Sequence, residues 1–375
     1  MKKKIIVFVN EFFGAWGTSR GGYGFLARHL LPKALRTNPK DIVFCLGRSK
    51  SLFRMERTYT EEGFCLIKLP KIRFLAAKIV NSYDVIVSIE ATVDFLFSLK
   101  GRLKKKIIFW IQDPRPRNDW LEMETVSLAK EPSYWNDKTY KLVKECYELG
   151  LIRFATQAKF LREKAITLYG LPDDEVEKIP FLPNPIYQRG RGGVKSLQKD
   201  DSIIFLGRLD SVKRGWLFCE IAKRMPKYNF FVLGASTSNV ENDKNSILHK
   251  YEGLKNLHFL GHLDGVEKES YLKKAKILVN TSIHEALPVS FLEAFAYGVT
   301  VVSNQDPDGL VSNFGGYIGV SLGDGWEDVP KYMAAIDSLM NNEQRRFELS
   351  LKAESYVKEN HCADKFNDEF LKLCR

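Results

Sequence analysis

Short, nearly unbroken apolar runs alternate with stretches of helical periodicity along the chain. IIVFV at 5–9, DIVFCLG at 41–47, YDVIVSI at 83–89 and KIIFWIQ at 106–112 are apolar at almost every position, as strands covered on both faces must be. FLARHLLPKAL at 25–35 carries helical spacing between the first two. The alternation resumes with SIIFLGR (202–208), LFCEIAKRM (217–225), YNFFVLG (228–234), LHFLG (257–261), YLKKAKILVN (271–280), VSFLEAFAYG (289–298) and VTVVSN (299–304). Strand–helix alternation predicts parallel sheets joined by right-handed crossovers. Two such series predict an α/β protein of two Rossmann-like, doubly wound domains, facing across a cleft at the carboxyl ends of their strands. QRGRGGVKSLQKDD at 188–201 is Gly-rich and charged, and reads as the linker between domains 1–190 and 201–342.

Length and composition agree with this division. A chain of 375 residues is long for one domain, and 45 % hydrophobic with 27 % charged residues is ordinary for a globular protein. The N-terminal apolar run ends at Asn10 and Glu11, too soon for a signal-peptide core. No stretch approaches the ~20 apolar residues that span a bilayer. Six cysteines without a CxxC pair read as reduced thiols in a cytoplasmic protein. The six histidines show no metal-ligand spacing.

Charge is divided unevenly. Residues 1–190 hold 33 Lys/Arg against 21 Asp/Glu, whereas 191–375 hold 24 against 25. A basic first half favours an anionic partner. No nucleic-acid recognition motif accompanies it. A peripheral contact with the anionic inner face of a membrane is the alternative, through KIRFLAAKIV at 71–80 and RLKKK at 102–106.

Candidate chemistry concentrates where predicted strands end. SIIFLGRLDSVKRG leaves a strand with Arg208, then Lys213, a planar donor fork and a compact charge suited to a diphosphate. In SIHEALPVSFLEAFAYG, Glu285 and Glu293 stand in an otherwise apolar stretch on either side of Pro288. Pro288 suits a helix start and Gly298 a helix stop, so a helix is expected over about Pro288–Tyr297, with free N–H groups at Val289 and Ser290 ready for an anion. Gly22-Tyr-Gly24 formally fits a dinucleotide fingerprint. It follows its strand too loosely for NAD binding. Asp306-Pro-Asp308-Gly has the composition of a turn. Trp120, Tyr134, Trp135, Tyr140 and Tyr147 read as core fillers.

GRLDSVKRG, LGHLDG and above all HEALPVSFLEAFAYG resemble the C-terminal half of family 4 glycosyltransferases. The Glu-seven residues-Glu spacing of Glu285 and Glu293 carries most of the likeness. SRGGYG (19–24) is similar to that family's glycine-rich loop, FWIQDPRP to a strand end that often reads His-Asp, with Gln112 in place of His, and Pro183-Asn184 to a Pro-Asn before the linker. The resemblance implies the GT-B fold, a retaining mechanism and no metal or other cofactor. It implies a nucleotide-sugar donor, a glycan or lipid-linked acceptor, and hexosyl transfer in cell-surface polysaccharide or glycoconjugate synthesis. Arg208 and Lys213 would hold the donor diphosphate, Glu293 the ribose, and Glu285 and Asp113 would lie by the donor sugar. Val289 and Ser290 would offer N–H groups, and Gly22 would lie against phosphate or acceptor. It also implies a final helix over 343–375 returning to the first domain. Ala286 and Pro288 depart from the family's glycines, and Pro288 removes one N–H donor. Another sugar-nucleotide enzyme of the same fold, such as an epimerase, and a nonenzymatic donor-binding module remain open.

Overall fold

The computed structural model describes residues 3–130, 132–187, 199–235 and 247–375. Most of the linker expected at 188–201 lies outside them. The chain forms two compact units. The first comprises Met1–Pro116, Tyr134–Pro185 and Cys362–Arg375, the second Arg117–Ser133 and Ile186–His361.

In the first unit the apolar runs become strands β1 (Ile5–Phe8), β2 (Ile42–Arg48), β3 (Glu56–Tyr59), β4 (Cys65–Leu69), β5 (Val85–Ile89), β6 (Ile107–Ile111) and β7 (Ile152–Thr156). They form one sheet in the order β3-β4-β2-β1-β5-β6-β7. All pairs are parallel except the β3–β4 hairpin. Every residue of β5 and β6 is buried, which explains their unbroken apolar sequences. The edge strand β3 alternates half-buried and exposed residues, and ERTY gives no apolar run to detect it by.

The second unit repeats the plan with β8 (Ser202–Leu206), β9 (Asn229–Leu233), β10 (Leu257–Phe259), β11 (Ile277–Asn280), β12 (Thr300–Ser303) and β13 (Gly316–Tyr317). The order is β10-β9-β8-β11-β12-β13, parallel throughout. Each sheet grows first to one side of its initial strand and then to the other. The reversals fall between β1 and β5 and between β8 and β11. Ligands of doubly wound sheets bind outside the carboxyl ends of the strands at such switch points.

The unit boundaries correct the expected domains in two places. Residues 343–375 are two helices, Glu343–Asn360 and Ala363–Leu373, separated at His361–Cys362. The chain leaves the second unit at this break. The longer helix stays with the second unit, where Ser350 donates to the Gly298 carbonyl at 3.0 Å and Arg346 to the Leu339 carbonyl at 2.7 Å. Only the shorter helix joins the first unit, where the Phe366 ring packs tilted against Trp110 at a centroid distance of 5.2 Å. Arg117–Ser133, expected in the first domain, also belongs to the second unit. Asp324 anchors it by accepting from the backbone N–H groups of Ser127 (2.9 Å) and Leu128 (3.1 Å).

Among the described residues no helix is long and apolar enough to cross a membrane. All six cysteines are free thiols, four of them buried.

Candidate functional site

In the second unit the sequence candidates gather at the switch point. β8 ends at Leu206, and Gly207 and Arg208 follow it. Gly207 has no side chain, and the Lys213 side chain lies over it: a Cβ there would meet Lys213 Cε at 3.9 Å. Gly234, at the end of β9, is required more strictly, since its Cβ would fall 1.7 Å from the Gly207 carbonyl oxygen. Asp210 organises the loop between Arg208 and Lys213. Its Oδ1 accepts from the Lys213 backbone N–H at 3.2 Å, and its Oδ2 pairs with the Arg208 guanidinium at 3.1 Å. Arg208 remains 44 % exposed, so its fork is open to solvent.

Across the switch point, β11 ends at Asn280 and leads through Thr281 and Ser282 to Glu285. Oε1 of Glu285 accepts three hydrogen bonds: from Lys213 Nζ at 2.6 Å, Ser282 Oγ at 2.6 Å and Asn280 Nδ2 at 2.9 Å. Oε2 has no partner among the described residues. Burial alone would push this carboxyl up, but Lys213 and the two neutral donors hold it below its ordinary value. It is therefore a carboxylate, fixed in orientation, with one oxygen committed and one not.

A buried polar network supports those donors. Ser303 Oγ donates to Asn280 Oδ1 at 3.1 Å, and Asn304 Nδ2 to the Ser282 carbonyl at 3.0 Å. The Tyr332 hydroxyl donates to Asn304 Oδ1 at 2.7 Å. Arg214, fully buried with φ 45°, has no carboxylate partner among the described residues and donates to backbone carbonyls, to Thr281 at 2.7 Å and Gly323 at 3.0 Å. It ties the strand end that carries Glu285 to the loop at 322–324.

The expected helix is Val289–Ala296, with Pro288 as its N-terminal cap residue and Gly298 at φ 66° beyond its end. The backbone N–H groups of Val289 and Ser290 precede the first intrahelical bond, which Phe291 donates to the Pro288 carbonyl at 3.1 Å. Glu293 has its own cation, Lys268 Nζ at 2.8 Å on the helix Gly265–Lys274. Each of the two glutamates thus has a lysine. Asp306 is committed to capping: its Oδ1 accepts from the Val311 and Ser312 N–H groups at 2.7 and 3.1 Å. Among the described residues no group of three His, Cys, Asp or Glu side chains could hold a metal ion.

In the first unit Asp113 follows β6 and Gly22 opens the helix Gly22–Phe25. The two belong to one neighbourhood. The Tyr23 phenol is pushed well above its ordinary value, first by burial and then by the charges of Asp113 and Glu90. Arg115 clamps Asp113 Oδ2 through Nε at 2.9 Å and Nη2 at 2.6 Å, and its guanidinium lies 5.3 Å from the Tyr134 ring centroid. A Cβ on Gly22 would meet nothing within 4 Å, whereas one on Gly21 would collide with the Glu11 carboxylate and one on Gly24 with the Phe13 nitrogen. Gly21 and Gly24 are demanded by packing, and Gly22 by nothing inside its unit. Trp120 is a core residue of the second unit; Tyr134 is exposed and no core filler.

Two buried glutamates that were not among the sequence candidates shape this region. Glu11 ties down the glycine loop by accepting from Gly21 N–H at 3.2 Å, Gly24 N–H at 2.8 Å and the Ser19 hydroxyl. Glu90, just past β5 at φ 51°, accepts from Gln112 N–H at 2.7 Å, Asp113 N–H at 3.1 Å and the Tyr169 hydroxyl. Burial pushes its carboxyl up to about 7. Glu11 follows the β1 run, yet nothing in the spacing linked it to Gly21. Glu90 closes a predicted strand, and a carboxylate at that point was the available signal. In the second unit Asp210, Asn280, Ser282 and Lys268 were also missed. Asn280 and Ser282 were signalled by being polar at the end of an apolar strand, whereas Lys268 had no signal.

Residues 191–357 match the family described as "Glycosyl transferases group 1". No functionally curated protein matches the chain. Among solved structures, HepE of Anabaena in complex with UDP is similar over 99 % of both chains, with a TM-score of 0.71 at 10 % identity. The sucrose-phosphate synthase of Thermosynechococcus elongatus is similar over 98 % of this chain and 97 % of its own, with a TM-score of 0.67 at 13 % identity. A mutant of S. aureus TarM, in complex with fondaparinux, alpha-GlcNAc-glycerol and UDP, is similar over 86 % of this chain and 66 % of its own, with a TM-score of 0.59 at 16 % identity. At these identities the likeness is one of fold: two Rossmann-like α/β domains of the GT-B class.

Proposed function

We propose that this protein is a retaining glycosyltransferase that moves a hexosyl group from a nucleotide-sugar donor to a glycan or lipid-linked acceptor, without a metal ion. The observation that carries the reading is the switch-point cluster of the second unit. There an exposed arginine, a lysine and an oriented carboxylate surround the carboxyl ends of β8 and β11, beside the unpaired N–H groups of a helix start. The match of this unit to group 1 glycosyltransferases and the UDP in the HepE structure support it.

In this reading Arg208 and Lys213 take the donor diphosphate, with the N–H groups of Val289 and Ser290 as further donors. Charge builds on the leaving phosphate as the glycosidic bond breaks, and two fixed cations stabilise that charge more than the ground state. Engagement of Lys213 by phosphate would loosen its hold on Glu285, whose free Oε2 is placed to accept from a sugar hydroxyl. Glu293 accepts from the ribose hydroxyls in partial exchange for Lys268. Gly22 gives the acceptor or a phosphate close access to backbone. Asp113, clamped by Arg115, contacts the sugar. The setting is synthesis of a cell-surface polysaccharide or glycoconjugate, with peripheral contact between the basic first unit and the anionic inner face of the membrane.

The test is a panel of nucleotide sugars with and without candidate acceptors, the product anomer read by NMR. Retention of the donor's anomeric configuration and undiminished turnover in EDTA are expected. An inverted product, or loss in EDTA restored by Mg²⁺, would overturn the corresponding part. A donor that binds and is neither transferred nor hydrolysed would mark a binding module.

A further inference from the structure

The two basic clusters of the first unit lie at opposite ends of its sheet. Lys104, Lys105 and Lys106 immediately precede β6, at the amino edge of the parallel strands. Lys105 is tied there to the Tyr83 carbonyl and lies 3.9 Å from Asp84. Arg48 ends β2, and Lys71 and Arg73 follow β4, at the carboxyl edge. The two cannot act as one surface, and the carboxyl-edge cluster has a feature the other lacks. Arg48, Lys71, Arg73, Lys100 and Lys138, with the single acid Asp94, line a cavity of about 530 Å³. Lys100 is neutralised by Glu145. The other four cations have no ion-pair partner among the described residues. The Arg48 guanidinium lies 5.2 Å from the Phe95 ring centroid, which holds it at the cavity wall.

The segments that adjoin Lys71 and Arg73 carry exposed apolar side chains. Segments 51–52 and 71–72 run side by side, with Lys71 N–H donating to the Ser51 carbonyl at 3.2 Å and Ile72 N–H to Leu52 at 3.1 Å. Leu52 is 55 %, Phe53 67 % and Phe74 66 % exposed. The helix Arg73–Val80 buries Ala76, Ala77 and Val80 against its own unit and leaves Phe74 outward, so its apolar inner face is core and not membrane surface. A concave group of four unpaired cations, adjoined by exposed aromatic side chains, matches a phosphate carried at the surface of a hydrocarbon layer.

We propose that this cavity is a binding site for the phosphate of an anionic lipid head group, with Phe53 and Phe74 entering the bilayer interface around it. The proposal rests on the membrane contact put forward above and gives it a location; it does not depend on the transfer chemistry. Cosedimentation with phosphatidylglycerol-containing and pure phosphatidylcholine vesicles at low salt tests it. The wild type should bind the first and not the second. Arg48→Gln with Arg73→Gln should lower partitioning by about 30-fold, at roughly a fivefold loss per basic residue. Arg48→Lys with Arg73→Lys should restore most of it, which excludes a folding fault. Phe53→Ser with Phe74→Ser should also weaken binding, and Lys104→Gln with Lys106→Gln should not. Wild-type binding that survives loss of Arg48 and Arg73 would overturn the site and leave the contact standing. Equal loss in the Lys104/Lys106 variant would show diffuse attraction and overturn it too. Binding of inorganic pyrophosphate to the cavity without vesicle binding would assign it to a soluble phosphate and overturn the lipid source. No vesicle binding by the wild type would sink both contact and site, and donor transfer would be unaffected.

Discussion

Each sheet has a buried carboxylate beyond a strand end, Glu90 directly after β5 and Glu285 in the loop after β11, and the two are treated in opposite ways. In the second unit Glu285 has a cation at 2.6 Å and two neutral donors on the same oxygen, and it is held in its charged form. In the first unit Glu90 has two backbone N–H groups and a tyrosine hydroxyl and no cation among the described residues. Burial outweighs those three hydrogen bonds, and its carboxyl rises to about 7. Neutral donors alone do not offset the removal of a charge from water, whereas one ammonium within contact does. Glu285 is built as a fixed charge with Oε1 committed and Oε2 unengaged among the described residues. Glu90 is built as a brace for the turn that carries Asp113.

The largest expected effect separates function from scaffold. Arg208→Ala should cut turnover by roughly 10²–10³-fold, the loss of one transition-state charge stabiliser. Thermal stability should hold, because Arg208 is half-exposed and its one ion pair among the described residues is with the neighbouring Asp210. Steady-state kinetics and a melting curve check both, and wild-type turnover would remove Arg208 from the site.

The two glutamates of the second unit should then divide. Glu285→Gln should lower kcat by about 10²-fold, as loss of a charge beside the reacting sugar would. Glu293→Gln should act mainly on the donor KM, as loss of ribose binding would. Identical kinetic signatures would show that separate lysine partners do not mean separate roles.

The carboxylates should also pull the pH dependence of stability in opposite directions. Glu90, raised in the folded state, binds its proton more tightly there than in the unfolded chain. Its contribution is complete below about pH 4.5 and is lost as pH rises through about 7, and the full span amounts to about 3 kcal/mol. Glu285, lowered in the folded state, contributes above its unfolded value and is lost as pH falls through its folded one. Glu90→Gln should therefore flatten the fall in Tm between about pH 5 and 7 relative to wild type, and Glu285→Gln should leave that limb unchanged. Parallel limbs in wild type and Glu90→Gln would contradict the assignment.

The smallest effect concerns the glycines. Gly24→Ala should destabilise the first unit by about 1–3 kcal/mol, because its Cβ would sit 2.5 Å from the Phe13 nitrogen. Gly22→Ala meets open space and should be neutral or stabilising by up to about 1 kcal/mol. If Gly22 admits a ligand to the backbone, the same variant should raise a substrate KM. An unchanged KM would make Gly22 incidental.

How far the sequence could be read follows the same division. The second unit was legible because its central strands β8, β11 and β12 are short, almost wholly buried and separated by clear helical stretches. Its candidate cluster could be proposed because Arg208, Lys213, Glu285 and Glu293 sit close to motif positions. The first unit hid more. β3 has no two-faced apolar run, and Glu11 and Glu90 act through contacts 8 to 79 residues away in sequence. The break at His361–Cys362 was marked only weakly, by the poor helix formers Asn360, His361 and Cys362 and by no Gly or Pro. Cys362 takes an extended conformation there and caps the following helix, its Sγ accepting from the Lys365 N–H at 3.4 Å. Lys268 was invisible for a different reason: one lysine on an amphipathic helix looks like any other until the fold sets it against Glu293.

Calorimetric titration of UDP into the wild type, Lys213→Ala and Asp113→Asn tests the central claim most directly. A donor site at the β8–β11 switch point predicts that the wild type binds UDP, that Lys213→Ala weakens it by about tenfold or more, and that Asp113→Asn leaves it unchanged. UDP binding that survives in Lys213→Ala and fails in Asp113→Asn would place the donor diphosphate in the first unit and contradict the account.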